Sequence, residues 1–341
     1  MVEKTINAKV LDNNTCADKG PVDKLRNDQF KIVLLTVIAI VLVVTLVGKG
    51  LTPDNYQYFL SRRLPKVLAM ILAGTAIALS SMAFQTITHN RILTPSIMGF
   101  DSLYVLIQVM IAFFVGGLSQ FLLNPYLNFI ICVSLMIGFS LTLFKFYFRS
   151  GRKNIIILLL MGVVLSQLFS NFSTMFAMML DPNEYTMVQS TMFASFNNVQ
   201  AELIYISLPI ILFCAICLFR MNALLNVFWL DHDNATSLGV DVANVSMRVL
   251  ILSSILIAVS TALVGPVLFF GLLVTNLARE WLRTYQHNML FIACSLLAIV
   301  ALLLGQFVIE NLLNFQTTLS VVINFLGGLY FLRILLTNKI M

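Results

Sequence analysis

Long apolar runs separated by short polar stretches set the pattern of this chain. A bilayer core about 30 Å thick is crossed by a helix of about 20 apolar residues. Ten segments meet or nearly meet that length, at 31–48, 66–86, 97–117, 126–144, 155–180, 203–220, 248–264, 267–282, 289–309 and 319–336, the eighth being short. The pattern predicts an all-α polytopic membrane protein with about ten transmembrane helices, and an even number of crossings puts both termini on one side. Residues 1–30 read as a polar arm of mixed charge, and residues 31–341 as one membrane domain. No small-residue cleavage site follows the first apolar run, "KIVLLTVIAIVLVVTLVG", so it reads as a retained helix.

Composition agrees with this pattern. Of 341 residues, 59% are hydrophobic and 11% charged, against about a quarter charged in a soluble domain. The basic residues then choose the orientation. With both termini cytoplasmic, every Lys and Arg except Lys49, Arg62, Arg63 and Lys66 falls inside, as the positive-inside rule requires. The net charge of +6 therefore reads as topology, with no nucleic-acid partner. The stretch "SRRLPKVLAM" becomes an external basic cluster that calls for a cause. The external loop 181–202 carries Asp181, Glu184 and Glu202 and no basic residue. The internal stretch 221–247 is amphipathic and too polar to span, and Gly239 follows "ATSL" like a helix stop. It predicts short helices lying on the cytoplasmic membrane face.

The residues restrict the chemistry. No G-x-x-x-x-G-K-[ST] occurs, and "VGKG" at 47–50 lacks both the spacing and the hydroxyl, so the chain has no ATP site of that kind. His89, His232 and His287 lie near predicted cytoplasmic loops and read as solvated loop residues, not as a metal site or a proton relay. Cys214 and Cys217 fall within an apolar run and read as small buried hydrophobes. The acidic residues cluster at predicted span ends. That argues against a membrane-embedded protease, and against the alternative of an ion-coupled secondary transporter of a small polar solute. One polar face remains: Ser166, Ser170, Ser173 and Thr174 recur at helical spacing, with Gln167 and Asn171 alongside. It is either interhelical hydrogen bonding or the wall of a water-filled path. Gln85 lies near the end of span two. Pro95 and Gly99 force a turn before span three, and Gly265-Pro266 breaks the chain between spans seven and eight. Backbone groups freed at such breaks must be buried in protein.

Taken in order, these motifs carry a resemblance. Arg63-Leu64-Pro65-Lys66 is similar to an R-[LI]-P-R element. Gln85, Asn90, Pro95 and Gly99 within "QTITHNRILTPSIMGF" match a glutamine and the proline-glycine loop after it. Ala235, Leu238 and Gly239 match A-x-x-L-G, and "GPVLFFGLLVTNLAR" keeps Gly265, Phe269, Gly271, Leu272 and Arg279 of a longer block. The closing run "SVVINFLGGLYFLRILL" adds Gly327. The chain resembles the permease subunits of iron-siderophore and cobalamin ABC importers, the FecCD-type family, over about residues 60–336.

The resemblance implies a single permease domain that is not an enzyme. It would carry an iron-siderophore complex across the bacterial cytoplasmic membrane, with cobalamin or haem as the alternative cargo. It implies cytoplasmic ATP-binding subunits that use ATP, no cofactor or metal bound by this chain, and an external substrate-binding protein docking at Arg63 and Lys66. Coupling to the ATPase would fall on Ala235, Leu238 and Gly239. The translocation path would fall on Gln85, Ser166, Gln167, Ser170, Asn171 and Thr174, and Asn90, Pro95, Gly99, Gly265, Gly271 and Arg279 would be structural. Three departures stand out: Thr275-Asn276 in place of Pro-His, "STMFASF" at 190–196 in place of a Trp-Gly element, and Glu310 where a basic residue is usual. They favour a heterodimer with a second permease chain over a homodimer.

Overall fold

A computed structural model describes residues 21–49, 56–117, 119–149, 155–197, 199–230, 232–282, 284–314 and 317–337. The first part of the expected N-terminal arm, residues 150–153 of the basic 145–153 loop, Arg283 and Lys339 lie outside the described residues. The described residues are helical and contain no strand. The helices are α1 (Pro21–Gly48), α2 (Tyr56–Ile87), α3 (Phe100–Val115), α4 (Gln120–Leu123), α5 (Pro125–Arg149), α6 (Ile155–Ala177) and α7 (Pro182–Thr191). They continue with α8 (Ala201–Arg220), α9 (Asn222–Val227), α10 (His232–Ser237), α11 (Val242–Val264), α12 (Phe270–Leu282), α13 (His287–Asn311) and α14 (Leu319–Thr337). Short 3₁₀ turns cover Pro95–Met98 and Phe228–Leu230.

Each of the ten predicted segments is helical, but not all have spanning length. Among the described residues, seven helices are long and apolar enough to cross a membrane: α1, α2, α5, α6, α8, α11 and α13. The α3 helix and Leu319–Arg333 of α14 are apolar but shorter, and α12 has 13 residues. Two boundaries move. The α1 helix begins at Pro21, so residues 21–30 of the expected arm are helical. The α2 helix begins at Tyr56 and carries Arg62, Arg63 and Lys66 within it, with Pro65 inside the helix. The expected amphipathic stretch at 221–247 resolves into α9, a 3₁₀ turn and α10. Cys132, Cys214, Cys217 and Cys294 are free, all but Cys217 fully buried.

The bundle is organised around α2, which packs against α1, α8, α11, α12 and α13. Its sequence explains this position. Ala69, Ala73, Ala76, Ala78 and Ala83 are wholly buried, and such small residues let neighbouring backbones approach closely in a membrane. A Cβ on Gly74 would stand 3.5 Å from the backbone of Ala298 in α13.

Both predicted breaks are real, and both are satisfied by protein. After α2 the chain turns back to the 3₁₀ turn that Pro95 opens, and Gly99 at φ 94° ends that turn and starts α3. The segment lies against the middle of α6: a Cβ on Gly99 would be 3.1 Å from Ser166 Cα, and one on Gly162 would be 2.9 Å from Met98 Cα. This return of the chain into the bundle is why α3 is short. At the second break, the Gly265 N–H donates to the Thr261 carbonyl at 2.8 Å, and the Ser195 N–H donates to the Val264 carbonyl at 2.8 Å.

Gly265 is constrained twice, by φ 95° and by a Cβ position only 2.8 Å from Ala194 Cα. Gly265→Ala is expected to cost about 1–3 kcal/mol and to lower the thermal unfolding midpoint of the detergent-solubilised protein by several degrees. Gly328→Ala, with nothing within 4 Å of its Cβ position, is expected to leave the midpoint unchanged or slightly raised. Equal midpoints for the two variants would contradict this account of the break.

Candidate functional site

The helices enclose a cavity of about 400 Å³ between α3, α6, α14 and the α11–α12 connection. Of the predicted path residues, Ser170 and Thr174 line it, as does Ser173. The others separate. Ser166 sits lower on α6 and pairs with Ser102, Oγ to Oγ at 2.9 Å. Gln167 Nε2 donates to Asn171 Oδ1 at 3.3 Å, and both side chains lie exposed. The Thr174 hydroxyl donates to the Ser170 carbonyl at 2.9 Å, a local bond within the helix. Gln85 is not at the cavity. It is buried, and its Nε2 donates to the Arg91 carbonyl at 2.9 Å. Thus on the α6 face Ser166 makes an interhelical hydrogen bond, while Ser170, Ser173 and Thr174 bound the cavity.

Asp101 is the site residue that sequence reasoning missed. It falls at the start of a predicted span and was grouped with the acids at span ends. The return of the chain before α3 instead lifts it beside Ser102, level with the middle of α6, where it lines the cavity at 7% exposure. An acidic residue directly after a Pro-x-x-x-Gly break was the available signal.

At the Gly48 end of the bundle, the basic cluster turns inward. Arg63 Nη1 donates to the Val47 carbonyl at 3.1 Å and to the Lys49 carbonyl, capping the open end of α1, and its guanidinium lies 4.8 Å from the Phe59 ring centre. Lys66 forms an ion pair with Glu310 of α13, with side chains 15% and 25% exposed. Glu310 Oε1 also accepts from Gln306 Nε2 at 3.0 Å, and Gln306 Nε2 reaches Asn197 Oδ1 at 3.2 Å. The unusual Glu310 is therefore the partner of Lys66. Of the three basic residues Arg62 is the exposed one, 5.0 Å from the Tyr58 ring centre.

At the Ile87 end, the predicted structural residues hold the returning chain. Asn90 Oδ1 accepts from the Ile92 N–H at 2.9 Å. The Arg91 carbonyl accepts from Gln85 and, at 2.9 Å, from Asn276 Nδ2. The departure at Asn276 thus supplies an amide donor to the loop. Gly271 fits where a Cβ would meet Ser81 Oγ at 2.1 Å. His287 corrects the expectation of a solvated histidine: it is wholly buried. Its Nδ1 is 2.7 Å from Asn226 Oδ1 and its Nε2 is 2.9 Å from Thr86 Oγ1. It is buried because it opens α13 beneath α9, where the Asn226 side chain also accepts from the His287 N–H at 2.9 Å. Arg279 lies 5.2 Å from the Trp229 ring centre and donates to Thr86 at 3.5 Å.

These contacts tie α9 and the 3₁₀ turn to α2, α12 and α13. The α10 helix ends as predicted, with the Gly239 N–H bonded to the Thr236 carbonyl at 2.9 Å and the Val240 N–H to the Ala235 carbonyl at 3.1 Å, the paired pattern of a left-handed cap. Ala235 is buried, whereas Leu238 and Gly239 are exposed.

Apolar helices of spanning length, two satisfied breaks and a polar-walled cavity define a helical membrane permease. The chain belongs to the FecCD transport family, which it matches over residues 30–337. It is 48% identical over 317 residues to the petrobactin import system permease protein YclO of Bacillus subtilis (strain 168), covering 92% of this chain and 99% of that one. It is 33% identical over 317 residues to the petrobactin import system permease protein FatC of Bacillus anthracis, covering 91% and 90%. A metal-chelate type ABC transporter solved in an inward-facing conformation shares the fold, with a TM-score of 0.79 at 24% identity over 91% of this chain and 100% of that one.

The Lys66–Glu310 pair is partly shielded from water. Its loss should fall between the about 0.2–1 kcal/mol of an exposed pair and the about 3–5 kcal/mol of breaking a buried one. Glu310→Gln is expected to lower the thermal midpoint, and the exchange of Lys66→Glu with Glu310→Lys to recover part of the loss. Strictly additive losses in that double-mutant cycle would show that the two side chains do not stabilise one another.

Proposed function

We propose that this chain is a permease subunit of an ABC importer that carries an iron-siderophore complex across the bacterial cytoplasmic membrane. The observation that carries this reading is the 48% identity to a petrobactin import permease over nearly the whole of both chains. The polar-walled cavity fits a cargo that is held weakly and passed on. On this reading the chain crosses the membrane ten times, with the short α3, α12 and α14 completing the count and both termini cytoplasmic. The Ile87 end then faces the cytoplasm and the Gly48 end faces outward.

Partners follow from the same reading. A second permease chain covers the exposed Gln167 and Asn171, which lie outside the cavity, since polar groups facing lipid have no hydrogen-bond partners there. The cytoplasmic ATP-binding subunits engage the surface around Leu238 and Gly239. Motion there is passed through Trp229 to Arg279 and through Asn226 to His287, and so to α12 and α13, by rigid movement of helices. The external substrate-binding protein meets Arg62 first. Arg63 and Lys66 contribute mainly by fixing the ends of α1, α2 and α13 on which it rests.

Radiolabelled iron presented as a panel of ferric siderophores should enter cells expressing the whole importer, and entry should stop when the partner ATPase is deleted. Uptake that persists without the ATPase and follows an ion gradient would make this a secondary transporter. Gly239→Asn has open space around the new side chain, and Asn tolerates the left-handed φ of 83° better than other side chains, so its expected effect is selective. Iron uptake should fall at least about fivefold while the thermal midpoint stays within a few degrees. Normal uptake in that variant would remove Gly239 from the coupling surface.

A further inference from the structure

The cavity beside α6 contains two acceptor oxygens with nothing to accept from. Asp101 Oδ1 takes a long bond from the Thr261 hydroxyl at 3.4 Å, and the Ser96 side chain also hydrogen-bonds the carboxyl group. Asp101 Oδ2 is buried without any partner, and so is Asn324 Oδ1 from α14. Both residues line the same cavity. A buried carboxylate oxygen left without a donor is costly, and a buried amide oxygen less so but in the same sense. The only other polar wall groups from α3 and α6 are the hydroxyls of Ser102, Ser170, Ser173 and Thr174, with Tyr185 at the edge. No Lys, Arg or His lines the space. The site therefore lacks positive charge, and its one N–H-bearing side chain is that of Asn324, while it offers a carboxylate and further acceptors. Among the described residues no cluster of three or more His, Cys, Asp or Glu exists to hold a metal ion. About 400 Å³ is small for a whole chelate but ample for one limb, small-molecule pockets running about 300–1,000 Å³.

We propose that Asp101 and Asn324 form a recognition site for a protonated amine carried on the cargo, which donates its N–H groups to Asp101 Oδ2 and Asn324 Oδ1 during passage. The inference rests on the reading of this chain as a chelate importer, and it narrows the cargo to chelates with a basic nitrogen outside the metal's coordination shell. The single membrane-depth acid of the cavity wall sits at the first turn of α3.

Two measurements test it, the first independent of the cargo. In a full-length chain whose native cysteines are replaced, Thr174→Cys is labelled with a trimethylammonium and a sulfonate thiosulfonate reagent of similar size. Relative to a free thiol, the cationic reagent should be favoured at least about tenfold, and Asp101→Asn should remove that preference. Methylammonium, and not sodium at equal ionic strength, should slow the labelling. An unchanged preference in Asp101→Asn, or protection by sodium alone, would overturn the amine site.

The second compares uptake by the assembled importer of ferric chelates with and without a free amine. Asp101→Asn should lower the amine-bearing cargo about tenfold and the amine-free cargo less than twofold. Equal losses for both would overturn the assignment. If Asp101→Asn does not assemble, Asn324→Leu should lower only the amine-bearing cargo, about threefold, and an equal loss of both cargoes there would also overturn it. If the parent imports neither chelate, the importer reading fails, and the labelling preference still decides the site.

Discussion

A peptide group at bilayer depth has no water to bond with, so every helix end inside the membrane must be closed by another part of the protein. The arrangement of this chain follows from that constraint. Gly265 can interrupt the α11–α12 run because Ser195 comes in from a distant segment to take the Val264 carbonyl. The return of residues 88–99 is possible because Gln85 and Asn276 together hold the Arg91 carbonyl. Arg63 closes α1, and Lys31 does the same for α12 by donating to the Trp281 carbonyl at 2.7 Å. Arg63 and Lys31 thus serve first as caps, and of the three basic residues Arg62, Arg63 and Lys66 it is Arg62 that is exposed.

The same constraint builds the cavity. Because the chain comes back into the bundle before α3, that helix starts level with the middle of α6, and its first turn meets the α6 hydroxyls there. A continuous α3 running from one surface to the other would have left Asp101 at the membrane edge, in water. Polarity in the middle of this fold is therefore supplied by position along a broken chain more than by composition, and it costs the surrounding helices little packing.

Much of this was legible beforehand. Apolar length located the seven helices of spanning length among the described residues, because the bilayer fixes that length physically. Pro95, Gly99, Gly239 and Gly265 were readable because a positive φ or a missing Cβ is a property of the residue itself. Burial among charged and polar groups was not. Nothing local distinguishes Lys66 in an ion pair with Glu310 from Lys66 facing solvent, and His287 looks like a loop residue until α9 is laid over it. Gln85 holds the loop carbonyl of Arg91 and Asp101 lines the cavity, because depth in the membrane depends on where the chain turns. The family departures at Asn276 and Glu310 proved informative for the same reason: each has a specific partner far away in the chain.

The two cations of the Arg63-Leu64-Pro65-Lys66 stretch find their partners at very different moments in the life of the chain. Those of Arg63 lie 14 and 16 residues behind it, so the α1–α2 hairpin can be secured as soon as it emerges from the ribosome. The partner of Lys66 lies 244 residues ahead and is made only when nearly all of the helices have been synthesised. Until then the ammonium of Lys66 lacks this carboxylate, and a cation resists leaving water before its counter-charge is in place. Glu310 supplies that counter-charge last, making the ion pair a seal on completed assembly.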